Sequence, residues 1–318
     1  MKIMLAPMQG VVDCYMRKIL TELGGYDACV TEFIRVVDHL LPEKVFYRYC
    51  PELLNNAMTS SDTPVLIQLL GSDPSAMAEN ACRAIELGTL GIDLNFGCPS
   101  KCVNNSHGGA FLLQDPEIIY KIVKTVRQAT PSEIPVSAKI RLGYETTELA
   151  LDNALAIESA GASFVTVHAR TKVDRYQAPA RWEWLAHINQ ALSIPMINNG
   201  DINNVDDFIR CSEISGCKDI MIGRGAVSRP NLARQIKSYN DNNTLIEKMA
   251  WEDVNLLLIE MAVAMKENVK GRFIVARIKQ WLVMLKQEYT EAQECFNHIR
   301  HLKDYSDLMR VIAPTDSH

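Results

Sequence analysis

The residue with the clearest chemical potential is Cys98, in the segment 95–101, which reads NFGCPSK. A short apolar run ends just before it, so the thiol follows the end of a predicted strand. Most unpaired cysteines are small core residues, and this position is unlike theirs. A nucleophilic thiol needs an activating partner, and the neighbouring sequence offers only Lys101 and His107 as candidates. A thiol with its ordinary pKa of about 8.5 can donate a proton without tuning, so Cys98 is predicted to be a general acid.

Metal binding is the competing interpretation of this segment. Cys98 and Cys102 are separated by three residues, and an iron–sulfur site of that kind would need a third cysteine where Asn105 stands. We therefore expect no metal. The chain has 9 cysteines and no C-x-x-C pair, which is unlike a secreted disulfide framework and typical of a reducing cytosol. The N-terminal apolar run is too short for a signal peptide, so we expect a cytoplasmic protein.

The elements that position Cys98 are predicted from eight short apolar runs that alternate with helical patterns. The runs are 2–8, 26–33, 64–71, 91–97, 135–143, 164–170, 194–200 and 219–225. Two of the helices carry clear start signals, an aspartate before a proline at Asp73-Pro74 and at Asp115-Pro116. Eight βα units predict an α/β fold closed as a (β/α)8 TIM barrel. An open doubly wound sheet is the alternative, but no run is followed by a dinucleotide glycine fingerprint.

Polar residues recur on one face of these runs. Since side chains alternate along a strand, five strands direct polar groups into the lumen; these are Gln68, Asp93, Asn95, Ser137, Lys139, His168 and Asn199. Each alone could be a hydrogen-bonded core residue, and Lys139 could simply pair with Asp93. Burying the whole set without a ligand would be costly. The cluster therefore predicts a site at the carboxyl ends of the strands.

Two glycine-containing turns follow the last two runs, Asn199-Gly200-Asp201 and Gly223-Arg224-Gly225. Glycine lets the backbone approach a ligand, and barrels often bind phosphate with the loops after strands seven and eight. Arg224 adds a guanidinium that suits phosphate. We therefore expect a phosphate-bearing cofactor.

The pattern changes after Ala233. No further strand is predicted, residues 240–243 resemble a polar linker, and 251–266, 273–288 and 291–302 have helical patterns. A chain of 318 residues exceeds the roughly 250 of a typical barrel, so we predict a catalytic domain over 1–238 and a helical domain over 245–318. The net charge of −5 means that any nucleic-acid partner must bind a local basic patch.

The sequence resembles the tRNA-dihydrouridine synthases, most closely their bacterial C-type class. The resemblance is carried, in order along nearly the whole chain, by LAPMQGVVD (5–13), TEFIRV (31–36), QLLG (68–71), DLNFGCPSK (93–101), KIRLG (139–143), VHARTKVDRY (167–176), INNGDI (197–202), MIGRGA (221–226) and VARIKQWL (275–282). One departure is Asn105-Ser106-His107, where relatives are expected to have more glycine.

The resemblance implies an FMN-dependent reduction of a tRNA D-loop uridine, at position 16, to 5,6-dihydrouridine, with NADPH as reductant and Cys98 as proton donor. It implies that the helical domain binds tRNA; no obligate protein partner is inferred, and a monomer is expected. The residues implied to bind the cofactor are Pro7, Met8, Gln68, Lys139, His168, Asn199, Gly200, Asp201, Gly223 and Arg224. Those implied to contact the uridine or tRNA are Arg35, Asn95, Tyr176, Arg277, Lys279 and Arg300.

Three rival functions remain open from the sequence. A flavin-dependent reductase or dehydrogenase of free pyrimidines, of the dihydroorotate or dihydropyrimidine type, would share the chemistry but need no basic helical appendage. A Schiff-base aldolase would use Lys139. A non-catalytic RNA-binding protein would keep the barrel without flavin.

Overall fold

A computed structural model describes residues 1–313 of the chain. Nine parallel strands form one sheet: β1 (Ile3–Leu5), β2 (Ala28–Val30), β3 (Ile34–Arg35), β4 (Val65–Leu70), β5 (Ile92–Phe96), β6 (Val136–Gly143), β7 (Phe164–Thr171), β8 (Met196–Asn199) and β9 (Ile220–Ile222). The order is β2-β1-β9-β8-β7-β6-β5-β4-β3, and a further pairing of β2 with β4 closes the sheet. The predicted TIM barrel is confirmed, and each of the eight predicted runs contains one strand of the closed ring.

The ninth strand, β3, was not predicted. Its two residues extend the wall beyond β2 by pairing Ile34 with Leu69 and Arg35 with Leu70 of β4. Two residues are too few for any alternation to be visible in the sequence. The side chain of Arg35 is exposed and donates to Ser106 Oγ, in the loop that follows β5.

Fourteen α-helices lie among the described residues: α1 (Cys14–Glu22), α2 (Glu43–Tyr49), α3 (Pro74–Glu86), α4 (Lys101–Asn104), α5 (Pro116–Ala129), α6 (Ala150–Ser159), α7 (Trp182–Ala191), α8 (Val205–Ser215), α9 (Arg224–Ser228), α10 (Leu232–Asn242), α11 (Trp251–Met265), α12 (Gly271–Leu285), α13 (Thr290–Ile299) and α14 (Tyr305–Ile312). The two predicted helix starts are confirmed. Asp73 accepts the backbone N–H of Ala76 at 2.7 Å, and Asp115 accepts that of Glu117 at 3.0 Å. None of the helices within 1–313 is long and apolar enough to cross a membrane.

The barrel interior is chemically asymmetric. Its apolar wall is a small cluster separate from the main core, made of Met4, Ala6, Val30, Leu66, Ile197 and Met221. The strands β5, β6 and β7 instead direct polar side chains inward, and Asp93, Ser137 and Thr166 are fully buried. Since apolar side chains fill one side of the lumen, its polar groups are concentrated on the other side.

Two features of the C-terminal region differ from the sequence prediction. The polar segment 240–243 is not wholly a linker, because α10 continues to Asn242 and only Asn243, with φ +52°, leaves the helix. The first turns of α10 are held in the core by the buried residues Leu232, Ala233 and Ile236. The polar C-terminal end of the helix extends from them into solvent. The sequence also missed α14, whose eight residues bury only Leu308 and Ile312, too few to reveal a period.

The helices α11 to α14 pack on the barrel through a continuous apolar core that includes Leu258, Ile278 and Trp281. Trp281 donates its indole N–H to the carbonyl of Val227 on α9 at 3.0 Å. The predicted boundary between domains at 238–245 thus separates regions that share one core. The last residues of the predicted helical domain, 314–318, lie outside the described residues.

Candidate active site

A cavity of about 660 Å³ opens at the carboxyl ends of the barrel strands. The sequence-predicted residues that line it are Pro7, Met8, Gln68, Asn95, Cys98, Lys139, His168, Tyr176, Asn199, Gly200, Asp201, Gly223 and Arg224. The structure thus brings together the candidate proton donor and all ten residues predicted to bind the cofactor. Arg35, Arg277, Lys279 and Arg300 are not among the lining residues.

A chain of hydrogen bonds crosses the polar wall of the lumen from β6 to β4 and back to β5. Ser137 donates its hydroxyl to Asp93 Oδ1 at 2.6 Å, and Gln68 donates from Nε2 to Asp93 Oδ2 at 2.6 Å. Asn95 donates from Nδ2 to Gln68 Oε1 at 2.7 Å. The strand register places Gln68 opposite Asp93 and Asp93 opposite Ser137, so these contacts follow from the sheet itself.

The segment that carries Cys98 is held from both sides. Asn95 Oδ1 accepts the backbone N–H groups of Gly97 at 3.0 Å and Cys98 at 2.9 Å. The carbonyl of Cys98 accepts from Asn104 Nδ2 at 2.9 Å and from the N–H of Ala110 at 3.1 Å. The sequence did not predict that α4 and a short 3₁₀ turn over Gly109–Gln114 would order this segment. Cys98 therefore has a fixed backbone at the rim of the cavity.

The environment of Cys98 favours the protonated thiol. Burial raises the pKa of the Cys98 thiol, and the N–H of Ser100 and the charge of Arg141 offset only part of that effect. A thiolate nucleophile needs the opposite shift. The side chain therefore retains its proton at neutral pH, as a general acid must.

Lys139 lies at the floor of the cavity with few anionic neighbours. It donates from Nζ to Asn199 Oδ1 at 2.9 Å, and Asn199 donates in turn to the carbonyl of Met221 at 2.8 Å. Burial and the nearby charge of Arg141 lower the pKa of Lys139 to about 7, although Asp93 acts in the opposite direction. A ligand with a negative or strongly accepting group near Nζ would favour the charged amine.

Three arginines, Arg141, Arg170 and Arg224, form a positively charged group beside the cavity, and Arg141 and Arg224 line it. Asp201 bridges two of them, pairing with Arg170 and with Arg224, the latter at 3.1 Å. Arg141 donates from Nε to the carbonyl of Gly97 at 2.8 Å, so it also braces the Cys98 segment. Because one carboxylate offsets two of these cations, the group has a positive surplus that suits an anionic ligand.

His168 is neutral in this setting. Burial and the charges of Arg141, Lys139, Arg170 and Arg224 lower the pKa of His168 well below its usual range. A neutral imidazole is able to donate from one ring nitrogen and accept at the other. His168 can therefore bind a ligand by hydrogen bonds but adds no charge.

Tyr176 stacks between two of the arginines at the cavity mouth. The guanidinium carbons of Arg141 and Arg224 lie 5.4 Å and 5.1 Å from its ring centroid, within cation–π range. The ring is 53% exposed. An aromatic face so presented can receive a planar ligand or a nucleobase.

The family model described as dihydrouridine synthase matches residues 4–314. The chain belongs to the dihydrouridine synthase family. It is 50% identical over 318 residues to the tRNA-dihydrouridine(16) synthase of Shewanella oneidensis, covering 100% of this chain and 99% of that one. It is 49% identical over 317 residues to the Escherichia coli K12 protein of the same name, covering 99% of each.

The family resemblance predicted from the motifs is thus confirmed, and this dihydrouridine synthase is an oxidoreductase, since uridine and dihydrouridine differ by two hydrogens. Histamine dehydrogenase from Rhizobium sp. 4-9 has a similar fold, with a TM-score of 0.56 at 15% identity over 82% of this chain and 48% of that one. A 2-naphthoyl-CoA reductase has a TM-score of 0.55 at 12% identity over 74% and 49%. At such low identity these two likenesses support the barrel alone.

The predicted tRNA contacts of the synthase lie in unlike environments. Arg35 is exposed and donates to Ser106 Oγ at 2.7 Å, beside the Cys98 segment. Lys279 donates to the carbonyls of Arg300 and Leu302 at 2.9 and 2.6 Å, and the side chain of Arg300 is exposed. Arg277, by contrast, is only 8% exposed. Its position at a junction inside the protein differs from that expected of a phosphate contact.

Sequence reasoning missed some residues of the synthase site. Arg141 is one, although it continues the inward alternation of Ser137 and Lys139 on β6 and could have been found from it. Arg170 likewise continues the alternation of His168 on β7. Met284 lines the cavity from α12, and no sequence signal could place it there because α12 is remote from the barrel strands in sequence. Among residues 1–313, no three histidine, cysteine, aspartate or glutamate side chains are arranged to hold a metal ion.

Proposed function

We propose that this dihydrouridine synthase reduces a uridine of tRNA to 5,6-dihydrouridine, and that its target is position 16 in the D-loop. The support is the similarity over essentially the full length to proteins named tRNA-dihydrouridine(16) synthase in Shewanella oneidensis, Haemophilus influenzae and Escherichia coli, at 49–50% identity. The single observation that carries the mechanism is that Cys98 lines the same cavity as Lys139, Gln68 and Asn199.

Flavin mononucleotide is the cofactor that we propose for this cavity, and the residues present fit it. The volume of about 660 Å³ is in the range of small-molecule sites. Gly200 lines the cavity and has no side chain, so a ligand can approach its backbone closely. Arg224, with its partly exposed guanidinium beside Asp201, would bind the phosphate.

When bound and reduced by NADPH, flavin mononucleotide would supply the hydride that the reduction of uracil at C6 requires. Lys139 at the cavity floor would bind the polar edge of the ring system and neutralise negative charge there. Gln68, Asn199 and neutral His168 would complete the hydrogen bonds, while Pro7 and Met8 contribute apolar contact from the loop after β1. These groups would orient the reactants, and the reaction needs no covalent bond between substrate and protein.

Cys98 completes the reduction by donating its proton. The C5=C6 bond of uracil is conjugated to the C4 carbonyl, so hydride addition at C6 leaves negative charge that a proton at C5 must discharge. The raised pKa of Cys98 keeps this proton in place until then. The balance is one hydride from the cofactor and one proton from the thiol, which solvent replaces afterwards.

The uridine must leave the tRNA stack to reach the cavity, and Tyr176 with Asn95 lies where it would enter. We propose that Arg35 contacts RNA beside the Cys98 segment, and that Lys279 and Arg300 do so on the helical domain. We propose action in the cytoplasm, where tRNA is modified. We also propose that the protein acts as a monomer and needs no obligate protein partner.

The decisive experiment compares wild type, Cys98→Ala and Cys102→Ala. Purified wild-type protein should carry a flavin absorbance spectrum and form dihydrouridine at tRNA position 16 with NADPH, measured by nucleoside analysis. Cys98→Ala should keep its flavin and its reduction by NADPH yet lose about 100-fold or more of product formation. The exposed Cys102 is the matched control and should be dispensable. Full activity of Cys98→Ala, or turnover of free uracil in preference to tRNA, would refute the proposal.

A further inference from the structure

We propose that Asp93 is a positioning residue for the proton donor, which orders the side-chain amides of Gln68 and Asn95 and through them the backbone of Cys98. Asp93 is fully buried below the cavity and is not one of its lining residues, so it acts on the reaction only through its neighbours. The inference rests on the proposed role of Cys98 as proton donor.

The orientation of Asn95 is fixed from its Cys98 end. Its Oδ1 lies 3.0 Å and 2.9 Å from the backbone nitrogens of Gly97 and Cys98. Backbone N–H groups only donate, so the amide must present its oxygen to them. The NH2 group of Asn95 therefore faces Gln68, at 2.7 Å from Oε1.

The orientation of Gln68 follows from its two neighbours. Its oxygen must accept from Asn95, which leaves Nε2 directed at Asp93 Oδ2 at 2.6 Å. The other oxygen of Asp93 accepts from Ser137 at 2.6 Å. Burial raises the pKa of Asp93, whereas these two hydrogen bonds and the charge of Lys139 favour the carboxylate, which only accepts. With an acceptor-only group at one end and donor-only groups at the other, the two amides between them have one arrangement that satisfies every atom.

Removing the acceptor at position 93 would release this constraint. Gln68 Nε2 would be left unpaired in a buried position, which costs free energy, and rotating the amide would only transfer the conflict to Asn95. The N–H groups of Gly97 and Cys98 would then no longer have Asn95 Oδ1 as a fixed acceptor. The thiol would be displaced from the point where it must deliver a proton.

A different role for Asp93 is that of a counter-charge for Lys139 on the neighbouring strand. The two roles separate in Asp93→Asn. Asparagine at 93 can accept from Gln68 with its oxygen and donate to the Ser137 hydroxyl, so the hydrogen-bond chain persists while the charge is lost. Asp93→Leu removes both the chain and the charge.

The experiment measures kcat and KM for tRNA, flavin content and the rate of Cys98 alkylation by iodoacetamide, each alkylation rate corrected with a Cys98→Ala variant of the same background. Asp93→Leu should lower kcat about 10- to 100-fold, change KM little, retain flavin and alter the alkylation rate. Asp93→Asn should recover most of kcat and the wild-type alkylation rate. The matched control is Asn198→Leu, since Asn198 is equally buried but bonds Ser215 Oγ at 2.8 Å, away from the cavity.

Three outcomes would overturn the inference: wild-type kcat and alkylation in Asp93→Leu, an Asp93→Asn variant as slow as Asp93→Leu, or an Asn198→Leu variant as slow as Asp93→Leu. The second outcome would show that Asp93 acts as the counter-charge of Lys139. The third would show that the loss of activity comes from a general disturbance of packing. If the wild-type protein made no dihydrouridine, the proposed function would fail. The alkylation rates would still decide whether Asp93 positions the thiol.

Discussion

Arg277 on α12 donates from Nε to Asp13 Oδ2 at 3.1 Å, and Asp13 simultaneously caps α1 by accepting the N–H of Met16 at 2.9 Å. The same guanidinium donates to the carbonyl of Val11 and, at 2.7 Å, to Gln280 Oε1. The loop between β1 and α1 is therefore fastened to the helical domain. Since that loop carries Pro7 and Met8, which line the cavity, the helical domain helps to shape the cavity.

Arg277→Leu is therefore expected to reduce stability rather than RNA affinity. The change leaves Asp13 Oδ2 and the Val11 carbonyl without the donor that Arg277 supplies. Because Arg277 is only 8% exposed, the free energy of unfolding should fall by about 1–3 kcal/mol. Urea unfolding measures this. Arg300→Ala is the contrasting variant: it should keep wild-type stability and reduce the slope of log tRNA affinity against log salt by about 1. The prediction fails if Arg277→Leu changes that slope and leaves stability unaltered.

Much of the fold could be read from the sequence because βα units are local. Each strand run and each Asp-Pro helix start is specified within a few residues, and the alternation on β5 and β6 correctly placed Asp93, Asn95 and Lys139 in the lumen. The short β3 and α14 escaped because neither is long enough to show a period. Such elements depend on tertiary contacts that no local pattern records.

The site was predictable where its residues follow strand ends and not where distant elements meet. Cys98 and Arg224 were found from their loops, and Arg141 could have been found from the alternation on β6. Met284 enters the cavity from α12, and the burial of Arg277 depends on Asp13, which is 264 residues away in sequence. Contacts between residues so far apart in sequence depend on how α12 packs on the barrel. The local sequence around either residue does not indicate that packing.

A side chain at Gly200 should weaken cofactor binding. The residue has φ +124°, and a Cβ atom there would lie 3.2 Å from His168 Cδ2 and 3.3 Å from Ala180 Cβ. Gly200→Ala should therefore introduce about 1–3 kcal/mol of backbone strain in the wall of the cavity. Flavin titration followed by fluorescence should show the affinity reduced by about tenfold or more, at 1.4 kcal/mol per factor of ten. Gly216→Ala is the control, since Gly216 also has positive φ, +68°, but ends α8 away from the cavity; equal loss of flavin in both variants would contradict the prediction.

The stability of flavin-free protein should rise with pH just above 7 because of Lys139. Burial lowers the pKa of its amine to about 7 in the folded protein, whereas the unfolded chain has a lysine pKa of about 10.4. Between these values the unfolded state binds a proton that the folded state has released, so the free energy of unfolding increases with pH; below about pH 7 both states are protonated and the contribution levels off. Buried thiols act in the opposite direction at higher pH, so the comparison is restricted to pH 7–8 and made against Lys139→Met. In urea unfolding, the free energy of unfolding of the wild type should increase more across that interval than that of the variant. Bound flavin should reduce this difference, because it keeps the Lys139 amine charged. Parallel pH profiles of the two flavin-free proteins would show that Lys139 is not the titrating group.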